Sequence, residues 1–559
     1  MLHLLSRITI FLALSPFPAP LAAQEKVVIR VEAGGGRGAF KPVWAYFGYD
    51  EPNFTYMKYG KKLLEELSAL SPTPVYIRAH NLLTSGDGKP ALKWGSTNAY
   101  TEDASGRPVH DWAILDRIFD AYRAAKVKPL VEIGFMPEAL STHPQPYQHD
   151  WPKGKLSTGW AYPPKDYAKW AELVYRWVRH SMDRYGKPEV QSWYWEVWNE
   201  PDISYWQGTP EEYYRLYDYA ADAVKRALPE ARVGGPHSTG PQSPKAAEFL
   251  RRFLEHCARG TNYANGRKGA PLDYIAFHPK GSPRLADGRL RMGIARQLQS
   301  VAKGFEIVAS FPEFREAPVI LGESDPEGCA ACSARVYPQH AYRNGALYPC
   351  YTAAVFARIL ELADKYGTNL EGVVTWAFEF EDQPYFDGFR TLATNGIDKP
   401  VLNLFRMFGL MAGERLPVES TRAVPLDSIL ESGVSGPPDV NAIATGGARK
   451  LSVLIWNYHD DDVPSLDAMV SLVIEGVPRA ARRVLVRHYR IDEQHSNAYT
   501  VWKGMGSPQN PTPEQYTRLE AAGRLEQLGP PQQVSPRAGK LELNFPLPRQ
   551  GTSLVQLSW

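Results

Sequence analysis

Short runs of apolar, β-branched or aromatic residues alternate with helix-like stretches over the first 400 positions. The strand-like runs are Val43–Tyr49, Val75–His80, Pro129–Gly134, Trp193–Glu200, Arg232–Pro236, Tyr274–His278, Pro318–Asp325 and Gly372–Phe378. Between them lie Tyr59–Leu70, Trp112–Ala125, Tyr167–Tyr185, Glu211–Ala227, Ala246–Ala258, Ala295–Ser310 and Ala346–Tyr366, with Leu402–Leu410 closing the series. Helical periodicity is plain from Ala168 to Val178, where apolar residues recur three and four apart. Eight strands, each followed by a helix, predict an α/β fold of the (β/α)₈ TIM-barrel type. The rival, a doubly wound open sheet, would want a Gly-x-Gly-x-x-Gly element after its first strand, and none stands there.

After about Gly413 the pattern changes. Leu451–Trp456, Ala468–Ile474, Arg483–Arg490, Leu541–Phe545 and Thr552–Leu557 read as strands, separated by Pro/Gly-rich turns such as Gly506–Pro513 and Gly529–Pro536. This predicts a β-sandwich over 413–559, with the barrel over 24–412. Lys26–Glu32 alternates with period two, and 26–33 is expected to add a strand to the sandwich. The first residues carry one charge, Arg7, then an apolar run from Ile8 to Leu14 and small residues ending at Ala23. That is the form of a signal peptide over 1–23, so a secreted or periplasmic protein is expected. No later stretch is long and apolar enough to cross a membrane.

Composition narrows the classes. Hydrophobic residues make up 44% of the 559, and Gly and Pro number 45 and 47, which suits a globular chain with a large core. The net charge of +2 leaves no basic footprint for nucleic acid or an anionic membrane. The 15 Trp and 30 Tyr suit sugar rings and ordinary cores alike. Four cysteines, Cys257, Cys329, Cys332 and Cys350, point in an exported chain to disulfides or free thiols. Cys329-Ala-Ala-Cys332 lacks nearby soft ligands for a zinc site, and no metal or cofactor is expected.

In a (β/α)₈ barrel the chemistry sits at the carboxyl ends of the strands. The fourth ends Trp195-Glu196-Val197-Trp198-Asn199-Glu200, and the seventh ends Leu321-Gly322-Glu323. Two carboxylates at such concave, desolvated positions suit glycoside hydrolysis, one as acid and the other as nucleophile or base. The second strand ends Arg78-Ala79-His80, the sixth His278-Pro279-Lys280, and the eighth Trp376-Ala377-Phe378-Glu379. These supply the candidate substrate-binding groups Arg78, His80, Asn199, His278, Lys280, Trp376 and Glu379. No Gly-x-Ser-x-Gly element follows a strand as a serine hydrolase would need. His143 and His149 flank a Pro-rich loop, Ser141–Trp151, that reads as a substrate rim or a surface loop rather than a metal site. The non-enzyme alternative is a carbohydrate-binding protein on a degenerate barrel.

The segments Tyr76–Asn81, Leu130–Leu140, Trp195–Asp202, Phe277–Gly281, Gly322–Pro326 and Tyr489–Tyr499 resemble glycoside hydrolase family 39, which contains β-xylosidases and α-L-iduronidases. The resemblance implies a retaining enzyme with Glu200 as acid/base and Glu323 as nucleophile. It implies further that Asn199 holds the sugar 2-hydroxyl and that Arg78 lies beneath Glu323 and keeps it ionised. Glu200, lacking such a cation, is expected to stay protonated. His278 is expected to touch Glu323 or a hydroxyl, and Trp376 to floor the sugar. Lys280 stands where the β-xylosidase pattern has an aromatic hydroxyl. A lysine there favours an anionic sugar unless Glu379, Glu381 or Asp382 neutralises it. An exo-acting β-xylosidase is the favoured reading, and a uronide- or arabinoside-cleaving enzyme the alternative. The sandwich is expected to brace the barrel.

Overall fold

A computed structural model of the protein describes residues 26–152 and 154–559, so the expected leader around Arg7 and Ala23 lies outside the described residues. Eight parallel strands close into a barrel in chain order: Tyr46–Tyr49, Tyr76–Ala79, Lys128–Ile133, Tyr194–Val197, Arg232–Thr239, Tyr274–His278, Val319–Leu321 and Leu370–Thr375. The ring shuts where Val374 pairs with Tyr46. These strands read as continuous apolar runs because both faces are covered; every residue of Tyr274–His278 is buried. The helices fall close to where periodicity placed them. Tyr167–Tyr185 starts at Asp166, whose side chain accepts from Ala168 N and Lys169 N. Pro210–Ala227 starts with a capping box between Thr209 and Glu212.

The expected fourth and seventh strands overran their observed ends. Trp193–Glu200 contracts to Tyr194–Val197 because Trp198 and Glu200 adopt left-handed backbone, at φ 73° and 44°, and leave the ladder. Pro318–Asp325 contracts to Val319–Leu321. The residues shed in this way form the loops at the barrel mouth. Lower in the barrel, Tyr46, Leu130, Tyr194, Tyr274, Ile320 and Val374 pack as an apolar plug. Above that plug the interior turns charged, and this change of layer sets the level of the site.

Two further sheets face each other across an apolar core that includes Ile29, Val31, Val453, Leu472 and Val555. One sheet runs Val418–Ser420, Lys26–Glu32, Ala468–Glu475, Leu541–Leu547. Lys26–Glu32 therefore does enter the sandwich, antiparallel to Val418–Ser420 and parallel to Ala468–Glu475. The other sheet contains Asp439–Gly447, which the sequence pattern did not reveal. Among the helices that went unforeseen are Ala498–Gly504 and Pro513–Gly523, on either side of the expected Gly506–Pro513 turn. They pack onto the loop that follows the eighth barrel strand. Phe386 meets Trp502 with ring centroids 5.1 Å apart, and Tyr385 N donates to Gln509 Oε1. Cys329 and Cys332 form a disulfide, and Cys257 and Cys350 are buried thiols. No described helix is long and apolar enough to cross a membrane.

Candidate active site

Glu200 and Glu323 meet at the carboxyl end of the barrel. One oxygen of each lies within 4.8 Å of the other, and His278 offers a ring nitrogen inside the same radius. Both carboxylates are buried, and both line a cavity of 440 Å³ together with Asp50, His80, Asn199, His278 and Lys280. Glu200 owes its place to its left-handed backbone and to its N–H, which donates to His237 O of the fifth strand at 2.9 Å. A non-glycine residue held at positive φ costs about 1 kcal/mol or more and persists where the surroundings fix it.

Cations organise the floor. Arg78 is fully buried and donates through Nη1 to Glu323 (3.0 Å), through Nη2 to Asn199 Oδ1 (3.0 Å) and through Nε to Glu196 (2.8 Å). With Asn199 Oδ1 thus engaged, its NH₂ group is what it can offer a ligand. His80 Nδ1 lies 2.6 Å from Asp50, and its Nε2 lies 3.2 Å from Glu132 and 3.4 Å from Glu323. Burial works against a charged imidazole there, but Glu132, Asp50 and Glu323 outweigh it and push His80 up to about 9. Glu132 moves the other way from a normal carboxylate: burial pushes it up to about 8, partly offset by His80 and Arg78. Burial also opposes ionisation of Glu196, yet Arg78 and His237 draw it down to about 2.

Lys280 occupies the centre. Its Nζ is 2.5 Å from Glu323 Oε2 and 3.2 Å from Glu200 Oε1. Burial raises the Glu323 carboxyl, but Lys280, His278, His80 and Arg78 together hold it well below the usual range. Glu200 feels the same opposition, and Lys280 with His278 draws it down to about 2. The expectation that Glu200 has no cation near it is therefore corrected: the loop after the sixth strand brings Lys280 between the two acids. The spacing of Glu200, His278 and Glu323 is one a metal ion would accept, but Lys280 already occupies the cation position between them.

Two sequence candidates stand elsewhere. Glu379 does not line the cavity; its Oε1 accepts from Gly396 N at 2.6 Å beneath the loop after the eighth strand, and burial pushes it up to about 8. Glu381 accepts from Tyr59 N. The neutralisation of Lys280 falls to Glu200 and Glu323 instead. Trp376 is also behind the cavity wall. Its ring backs His80 at 4.3 Å between centroids and sits 4.8 Å from the Arg78 guanidinium carbon, so it supports the floor without being its surface. Arg78, His80, Asn199, His278 and Lys280 are all brought to the two carboxylates.

Sequence reasoning missed Asp50, Glu132, Glu196 and His237. All are buried, and three of them lie at or just past the ends of the first, third and fifth strands. Those strand ends carried the missing signal. A second cavity of 480 Å³ adjoins the first through Lys93, Tyr205, Gly281 and Gly328. It is lined by Trp151, Tyr337 and both disulfide cysteines.

Residues 29–536 match the family model of glycosyl hydrolases family 39. The chain belongs to that family. It is a glycoside hydrolase of family 39, and its retaining geometry agrees with the close approach of the two acids. It is 28% identical over 429 residues to a beta-xylosidase of Caldicellulosiruptor saccharolyticus, covering 74% of this chain and 76% of that protein. It is 27% identical over 416 residues to an alpha-L-iduronidase of Mus musculus, covering 70% of this chain and 62% of that one. The solved GH39 enzyme from Xanthomonas axonopodis pv. citri shares the fold of this family 39 chain, with a TM-score of 0.73 at 21% identity over 97% of this chain and 99% of that one.

Proposed function

We propose that the protein is an exo-acting β-xylosidase that cleaves with retention, Glu323 being the nucleophile and Glu200 the acid/base. The observation that carries the roles is the approach of the two carboxylates to within 4.8 Å. Retaining glycosidases hold their carboxyl groups about 5–5.5 Å apart, and inverting ones about 6.5–9.5 Å, to admit a water. Arg78, His80 and Lys280 all bear on Glu323, more cations than bear on Glu200, which makes it the more firmly held carboxylate. Its carboxylate attacks the anomeric carbon while the bond to the leaving oxygen breaks and Glu200 gives that oxygen a proton. In the ester so formed Glu323 has lost its charge, and Lys280 is left to pair with Glu200. That favours the Glu200 carboxylate, which then takes a proton from the water that opens the ester.

The substrate reading rests on the occupied cation. Lys280 is held by two carboxylates, and Lys93 by Asp50 at 2.8 Å, so a uronate would have to compete for either. A neutral pentoside needs only hydroxyl partners, which Asn199, His80 and Asp50 supply. The relatives named beta-xylosidase also cover most of both chains. The second reading, a uronide-cleaving enzyme, is favoured by Lys280 itself. It would require the sugar carboxylate to displace Glu200 from Lys280. Walls formed by the loops carrying Trp151, Tyr205 and Tyr337 support action at chain ends. The leader supports export, which the mass of the mature amino terminus would test.

Release of nitrophenol from aryl β-xyloside, α-arabinoside and α-iduronide tests the substrate, with the xyloside expected to turn over fastest. Preferred cleavage of the iduronide would reverse the choice. Proton NMR of the first-formed sugar should show the β-anomer, and the α-anomer would refute retention. Glu323→Ala should be inactive on every substrate. Glu200→Ala should lose most activity on poor leaving groups and regain rate with azide, and equal losses on good and poor leaving groups would refute its role.

A further inference from the structure

An acid catalyst must carry a proton, yet Lys280 draws Glu200 toward the carboxylate. Behind Glu200 runs a line of buried groups that bears on this problem. Glu200 Oε1 lies 3.0 Å from His278 Nδ1. The other ring nitrogen, His278 Nε2, lies 3.2 Å from His237 Nδ1. The far side of that second ring, His237 Nε2, lies 2.7 Å from Glu196 Oε2. Both imidazoles are buried. Space for the pair is made by Gly322, next to the nucleophile in sequence: a Cβ there would fall 2.3 Å from His237 Nδ1 and 2.9 Å from His278 Nε2.

Proton counting along this line is restrictive. Each of the three contacts needs one proton between its two heavy atoms, since two facing lone pairs or two facing N–H groups repel. Glu196 is ionised, held by Arg78, and its charge 2.7 Å from His237 Nε2 favours the proton of a neutral His237 on that nitrogen, though the pair does not meet as a straight hydrogen bond. His237 Nδ1 is then an acceptor, and a neutral His278 must answer with Nε2–H. That leaves His278 Nδ1 with a bare lone pair aimed at Glu200. Burial favours the neutral form of both rings, drawing His237 down to about 4 and lowering His278 as well. The remaining proton therefore belongs on the carboxyl.

We propose that His237, anchored by Glu196, is a positioning residue that sets the tautomer of His278 and so keeps the acid proton on Glu200. This inference rests on the acid/base role proposed for Glu200. The relay keeps its own two protons throughout the cycle. Only the Glu200 proton moves, to the leaving oxygen in the first half and back from water in the second. Other charged and titratable groups face the line from each side. Lys280, Glu323, Asp202 and Tyr205 bear on Glu200, Arg78 and Glu323 on His278, and Arg78 and Tyr274 on His237. Of these Lys280 opposes the relay most strongly, being the cation nearest Glu200.

The pH dependence of kcat/KM tests this in the full-length enzyme. His237→Leu removes the acceptor, frees His278 to turn its proton toward Glu200, and should move the alkaline limb down by about one unit or more. Its kcat should fall about tenfold or more on alkyl xylosides and little on dinitrophenyl xyloside, whose leaving group needs no proton. His237→Asn, which restores an acceptor oxygen near the place of Nδ1, should bring the limb back. A folded His237→Leu enzyme with an unmoved limb and equal losses on both substrates would overturn the relay. If that variant does not fold, nitrogen NMR of the native histidines decides: His278 protonated on Nε2 alone supports the proposal, and a proton on His278 Nδ1, with or without one on Nε2, overturns it. Failure of the Glu200 assignment looks different, because Glu200→Ala would then show no dependence on the leaving group.

Discussion

Lys280 Nζ lies closer to Glu323, at 2.5 Å, than to Glu200, at 3.2 Å, and so one ammonium is shared unequally by the two acids. The sharing makes a pH prediction with a definite sign. A nearby opposite charge lowers a carboxyl pKa by about 1–3 units. Lys280→Met removes that pull from both groups. The acidic limb, which reports ionisation of the nucleophile, should move to higher pH, and so should the alkaline limb, which reports loss of the acid proton. Bell-shaped profiles of kcat/KM on an aryl xyloside measure both. A profile that narrows or moves to lower pH would contradict the shared cation.

Glu379 gives a stability prediction free of catalysis. Burial raises it to about 8 in the folded state, above its ordinary value. Between about 4.5 and 8 the folded chain holds a proton that the unfolded chain has lost, so stability falls as pH rises through that window. Glu379→Gln keeps an acceptor for Gly396 N and removes the titration. The variant should gain roughly 2–4 kcal/mol relative to the parent at pH 8 and almost nothing at pH 4. Thermal unfolding at the two pH values measures this, and KM for a xyloside should stay unchanged because Glu379 does not line the cavity.

Gly48, on the first strand, is where Trp376 comes closest to the backbone. A Cβ at position 48 would fall 2.3 Å from the Trp376 ring. Gly48→Ala should therefore push the indole out from behind His80 and Arg78. Overpacking of this kind costs about 1–3 kcal/mol. Activity should fall further than that loss of stability explains, because Arg78 and His80, two of the cations that bear on Glu323, shift with the ring. Urea unfolding and kcat on one preparation separate the two effects.

Trp502 tests whether the sandwich braces the mouth. It is buried against Phe386 and its Nε1 donates to Pro508 O. The loop after the eighth strand that it supports also carries Arg390, which holds Glu327 at 2.7 Å and Asp325 at 3.5 Å. Trp502→Ala should cost about 3 kcal/mol or more. It should also raise KM for xylosides, since the loop lies two residues from the nucleophile through Asp325. An unchanged KM at a lowered Tm would confine the sandwich to stability.

Most of the architecture was legible in the pattern of apolar residues. Barrel strands buried on both faces have to be continuously apolar, and the helices that cover them have to be amphipathic, so Tyr274–His278 and Tyr167–Tyr185 appear in the sequence at their true bounds. Lys26–Glu32 showed its period of two because one of its faces is core and the other is not. Ala498–Gly504 and Pro513–Gly523 escaped because they are short and pack mainly against a loop, which imposes no long period. Glu200 and Glu323 were found from their places at strand ends, as were Arg78, His80, Asn199, His278 and Lys280.

What the chain order alone determined, then, was which layer each side chain occupies: strand, helix or rim, and inside or outside. Tertiary structure decided which charges become neighbours. Lys280 and Glu200 are 80 residues apart, and Arg78 and Glu323 are 245 apart. In a buried site a few ångströms decide whether a carboxyl is drawn down by a cation or pushed up by burial. That is why Lys280, expected in the pocket, came to pair with Glu200 itself, and why Glu379 turned away to Gly396. Distances of that kind are set only when the eighth strand closes on the first and eight loop ends converge on one axis.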